Sequence, residues 1–217
     1  MTAVRAELGA VPWGPVTIGL VAALVVAVLD LTVWPAGPGS QLLWLVAGLL
    51  AGSVAVALDD PAAILTRALP TRHWSRTVIR LLVALGALIA WSAYVARVTD
   101  AAPLPGESVS WLALVLIGAA IVVAAAGSAA ALGRARSTEP GSVVATIAVV
   151  SVLGLMILPL PREFAAYDVS ERWTDTTAVW TVVGIVGAVV LTWGVADPWR
   201  RRLGQLRTPG IVHWFQR

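Results

Sequence analysis

Six runs of apolar residues, each about as long as a helix needs to be to cross a bilayer, constrain this chain more than anything else in its sequence. A hydrocarbon core of about 30 Å takes roughly 20 helical residues at about 1.5 Å each. Stretches of that order lie at Val16 to Trp34, Gln41 to Leu58, Val78 to Val98, Val109 to Leu132, Ser142 to Leu158 and Thr177 to Ala196. With 59% of its 217 residues hydrophobic and 12% charged, the chain has too little polar surface to cover a soluble core. The expected fold is all-α: one polytopic transmembrane domain over residues 1–217, with six membrane-spanning helices and no second, soluble domain.

Turn-forming clusters separate the runs, among them Pro35-Ala36-Gly37-Pro38-Gly39, Ala102-Pro103-Leu104-Pro105-Gly106 and Pro159-Leu160-Pro161. The first run reads as a permanent helix rather than a cleaved signal, because only Arg5 precedes it and its length suits a full span.

Arginine placement sets the expected orientation, since positive residues are retained on the cytoplasmic side. With the N-terminus inside, the inner segments hold Arg5, Arg67, Arg72, Arg76, Arg80, Arg134, Arg136, Arg200, Arg201, Arg202, Arg207 and Arg217. The outer side then holds only Arg97, Arg162 and Arg172, together with the acids Asp100, Glu107, Glu163, Asp168, Glu171 and Asp175. Both termini are therefore expected in the cytoplasm. Tryptophans agree, because indole rings favour the headgroup level: Trp34, Trp111 and Trp173 fall at the outer boundary, Trp13, Trp74, Trp199 and Trp214 at the inner. The net charge of +3 points to anionic lipid as the partner and not to nucleic acid.

Several chemistries lack their residues. The chain has no cysteine, so it offers no disulfide, thiolate nucleophile or cysteine metal site. It has no lysine either, which excludes a Walker A phosphate loop and Schiff-base catalysis. His73 and His213 both lie in segments expected in the cytoplasm, and neither HExxH nor GxSxG occurs. No catalytic residue, metal ligand or cofactor site is expected, and an enzyme is disfavoured.

The most informative connection is Leu58 to Arg80, a charged, helix-capable segment between the second and third runs. Asp59 and Asp60 stand where a helix would start, with Pro61 suited to its first turn. Ala62 to Leu69 follows as a short helix ended by Pro70. Ile64, Leu65, Ala68 and Leu69 recur at helical spacing, so this helix suits the membrane surface or a groove on a soluble partner. The plainer alternative is a positive-inside loop that anchors headgroups.

This layout resembles the membrane subunit of the ABC-2 (type V) family of ATP-binding-cassette exporters. Members have six spans, an interfacial helix before the first, a coupling helix between the second and third that docks on the ATPase, and a short outer segment between the fifth and sixth. Met1 to Trp13 would match the interfacial stretch, Asp59 to Leu69 the coupling helix, and Pro161 to Asp175, with Phe164, Tyr167 and Trp173, the outer segment. The resemblance implies that Asp59, Asp60, Pro61, Ile64, Leu65, Arg67 and Leu69 couple the chain to a separate ATPase subunit, which binds ATP and Mg. It further implies a second permease copy, or a related permease, with a substrate path along the shared interface.

Within the runs, Asp30 is the one acid, and Arg97 is its candidate ion-pair partner; headgroup-level exposure is the other structural reading and substrate contact the functional one. Trp91, Ser92 and Tyr94, with Trp44 and Trp180, are candidates to line a path for an amphipathic substrate, although packing between helices accounts for them as well. Gly48 and Gly52 form a GxxxG spacing that marks a helix contact face, within the chain or between subunits. Asp197, Pro198 and Trp199 end the sixth run before the Arg200-Arg201-Arg202 anchor.

Two functions from different classes thus remain. One is a permease subunit in a bacterial plasma membrane, exporting a hydrophobic or amphipathic compound, a lipid or a peptide. The other is a non-transporting integral membrane protein for assembly or immunity, acting through its cytoplasmic loops.

Overall fold

The computed structural model describes residues 11–33, 41–59, 73–101, 111–134, 140–157 and 173–195. They form six helices: α1 Trp13–Thr32, α2 Gln41–Ala57, α3 His73–Ala101, α4 Trp111–Arg134, α5 Pro140–Ile157 and α6 Trp173–Val195. No strand occurs among the described residues. Each helix overlaps one of the six apolar runs. Four contain stretches long and apolar enough to cross a membrane: Trp13–Thr32, Arg80–Asp100, Trp111–Gly133 and Thr177–Val195. α2 and α5 are shorter, at 17 and 18 residues. The protein is an all-helical membrane protein.

Local chemistry suits an apolar solvent, in which every backbone polar group needs a partner inside its own segment. Pro15 of α1 and Pro140 of α5 fall in first turns, where a missing N–H costs nothing. Hydroxyls inside the helices fold back onto the preceding turn. Thr17 donates to the Trp13 carbonyl at 2.7 Å, Ser53 to Leu49 at 2.8 Å, Ser92 to Leu88 at 2.8 Å and Thr181 to Thr177 at 2.7 Å.

α2 and α4 occupy the middle. α2 buries Leu43, Val46, Ala47, Leu50, Ala51 and Val54, and α4 buries Leu114, Ile117, Val122, Ala126 and Ala129. Bulky apolar side chains instead face outward from α1, at Ile18, Val21 and Leu24, from α3, at Leu82, Leu85 and Ile89, and from α6, at Val182, Ile185 and Val189. A soluble protein could not sustain such a surface.

Small residues set the closest approaches, as expected where packing rather than water exclusion joins helices. α4 and α6 run parallel: Gly184 faces Ala120, Gly187 faces Ala124, and Gly194 faces Ala130. α2 and α5 run antiparallel, with Gly48 against Val152 and Gly52 against Ala145. The GxxxG face of α2 therefore lies within the chain. Gly19 of α1 sits over Ser53 of α2.

Candidate functional site at the arginine-rich end

Where α2 ends and α5 begins, two buried charged side chains converge, Asp59 and Arg80. α2 closes with a tightened turn, Leu58 N–H donating to the Ala55 carbonyl at 3.1 Å and Asp59 N–H to Val56 at 3.0 Å. The last carbonyls of a helix lack intrahelical donors. Here Arg80 of α3 supplies one: its Nη1 donates to the Asp59 carbonyl at 2.7 Å and to the Leu58 carbonyl at 3.3 Å. A guanidinium at this position also complements the negative end of the α2 dipole.

The Asp59 side chain turns toward α5. Its Oδ1 accepts from Gly141 N–H at 2.5 Å and its Oδ2 from Ser142 N–H at 3.0 Å. These are first-turn amides of α5, and a carboxylate there satisfies orphan donors and meets the positive end of the helix dipole. Asp59 is 8% exposed and Arg80 4%. Gly141 is required for this approach, because a Cβ would collide with the Ala55 carbonyl and lie 2.9 Å from Asp59 Oδ1.

Asp59 thus has an N-capping partner, as its residue type suggests, and that partner is α5, 82 residues further along the chain. Asp60, Pro61, Ile64, Leu65, Arg67 and Leu69 lie outside the described residues, as do Met1 to Ala10 and Pro161 to Arg172 of the interfacial and outer segments.

At the opposite end of the bundle, Asp30 of α1 is 2% exposed and accepts a hydrogen bond of 2.5 Å from the Tyr94 hydroxyl of α3. Arg97, its candidate partner, lies one turn beyond Tyr94 and is exposed. The structure divides the aromatic residues between two clusters. Trp91 and Tyr94 touch, with ring centroids 5.9 Å apart. Trp44 of α2 and Trp180 of α6 touch at 5.6 Å, beside Ile117 and Val152. Ser92 is half-buried and bonded to its own helix. Trp180 Nε1 is enclosed without an acceptor among the described residues.

Among the described residues, Trp91 is the largest fully buried side chain. Its Nε1 donates 3.1 Å to the Leu114 carbonyl of α4, and the indole lies where a side chain at Gly118 would be. Gly118→Ala is expected to cost about 1–3 kcal/mol by overpacking, read as a lower unfolding temperature in detergent. Gly154→Ala, with nothing within 4 Å of the added carbon, is the control and should be neutral or slightly stabilising.

Among the described residues, no group of three or more His, Cys, Asp or Glu side chains comes together as a metal site. The chain matches no protein-family model, no curated protein and no solved structure.

Proposed function

We propose that this chain is the permease subunit of an ATP-binding-cassette exporter of the ABC-2 (type V) kind, moving a hydrophobic or amphipathic compound, a lipid or a peptide. It crosses a bacterial plasma membrane six times with both termini in the cytoplasm. A separate subunit docks on the connection between α2 and α3 and hydrolyses ATP, and a second permease copy or a related chain completes the transporter. The observation that carries the reading is the connection between α2 and α3: a charged, helix-capable segment at the arginine-rich end, with roots at the buried residues Asp59 and Arg80. A loop serving only to hold headgroups needs no such anchorage in the helix core.

Affinity purification of the tagged chain in mild detergent tests this, with Leu65→Arg beside the wild type. The wild type should bring down a subunit carrying a Walker A lysine, and Leu65→Arg should lose it. If neither brings down an ATPase, the permease reading falls and the assembly or immunity reading takes its place.

A further inference from the structure

We infer that Asp59 and Arg80 are not docking residues but a joint, which carries movement of the 60–72 segment into α5 and α3 together. The inference rests on the permease reading only for the identity of what moves the segment. Asp59 is the residue from which that segment departs, and it is held from two sides. Its carboxylate takes two amides of α5, and its carbonyl takes the guanidinium of Arg80.

Both side chains are buried, and charge-assisted hydrogen bonds in such surroundings are short and strong. Gly141 adds a steric constraint, since α5 begins against the Ala55 carbonyl with no room between them. Residue 59 therefore cannot shift without either breaking these bonds or taking the first turn of α5 and the Arg80 side chain of α3 with it. The end of α1 is held differently, by a side chain bond between Asp30 and Tyr94 near the far end of α3.

Docking and transmission should therefore separate by residue. Side chains further along, such as Leu65 and Arg67, would govern whether a partner binds, whereas Asp59 and Arg80 would govern whether its movement reaches the helices. Asp59→Asn keeps the shape but replaces one acceptor oxygen with an amide that cannot take a backbone N–H. Arg80→Gln keeps a donor but loses the charge and reach, while Arg80→Lys keeps the charge.

Hydrogen exchange on the purified full-length chain tests the joint without any partner. Arg80→Gln, although Arg80 bonds to α2 and not to the α5 amides, should speed exchange at the Gly141 and Ser142 amides, read in a peptide that starts upstream of Pro140, as should Asp59→Asn; Arg80→Lys should restore much of the protection. If Arg80→Gln leaves exchange at α5 unchanged, Asp59 and Arg80 act separately and the inference is overturned.

The second arm uses the co-purified complex in liposomes. Asp59→Asn should retain the ATPase subunit, yet transport per ATP hydrolysed should fall about tenfold, as expected when one charge-assisted hydrogen bond no longer positions the moving parts. Loss of the subunit from Asp59→Asn would make Asp59 a docking residue and contradict the inference. If the wild type yields no ATPase, the permease reading fails alone and the exchange result still decides the joint.

Discussion

Gly187→Leu is expected to prevent α4 and α6 from packing and to destabilise the protein by more than about 3 kcal/mol. A Cβ on Gly187 would stand 2.8 Å from the backbone nitrogen and Cα of Ala124 and 3.1 Å from the Val123 carbonyl carbon. Those are main-chain atoms of a neighbouring helix and have no rotamer to change. A Cβ on Gly127 would in turn stand 2.5 Å from the Gly187 carbonyl oxygen, so the seam is tight from both sides. Lipid tails are as apolar as the seam, so the helices have no hydrophobic gain to offset lost contact. Gly187→Ala should cost less, about 1–3 kcal/mol. The check is monodispersity on size-exclusion chromatography and the unfolding temperature in detergent. A Gly187→Leu protein within about 0.5 kcal/mol of wild type would mean that the two backbones do not meet.

Asp30→Ala should cost about 1.5–3 kcal/mol, the range for a hydrogen bond involving a charged group. Its removal leaves the Tyr94 hydroxyl buried without its carboxylate acceptor. Tyr94→Phe breaks the same bond from the other side. The pair Asp30→Leu with Tyr94→Phe should recover much of the loss, because replacing both partners by apolar groups removes the unmet demand. A double-mutant cycle isolates the coupling. Arg97→Leu belongs in the same series: near-neutral behaviour is expected, and an effect as large as that of Tyr94→Phe would make Arg97 a partner of Asp30 as well. If Asp30→Ala is itself neutral, the buried bond contributes nothing to the fold.

Helix positions were legible in the sequence because apolar length is a one-dimensional signal; each helix overlaps its run although the ends move. Rotation and pairing were not. Asp30 pointed to α3, yet the hydroxyl that meets it belongs to Tyr94, one turn before Arg97. A turn of difference cannot be read without knowing how the two helices cross. Asp59 displayed its N-capping chemistry, but the amide it takes, that of Gly141, lies 82 residues later, and only tertiary packing brings it there.

Gly48 and Gly52 carry the GxxxG spacing, but the closer seam runs through Gly184, Gly187 and Gly194. Its spacing of three and then seven residues was a visible signal, since those positions share one helix face. The aromatic candidates Trp44, Trp91, Tyr94 and Trp180 suit either a path lining or packing between helices. Their division into two pairs follows from which helices neighbour which, and composition carries no trace of that.

Everything proposed about the 60–72 segment depends on its facing the cytoplasm in a chain that crosses the membrane six times. The absence of native cysteine makes single-cysteine labelling in intact cells the direct measurement. Ser108→Cys and Ser170→Cys should react with a membrane-impermeant maleimide added outside. Thr66→Cys, Ser137→Cys and Thr208→Cys should react only after the membrane is permeabilised. Labelling of Thr66→Cys in intact cells would place the segment on the outer face and contradict both the permease reading and the coupling role of its joint.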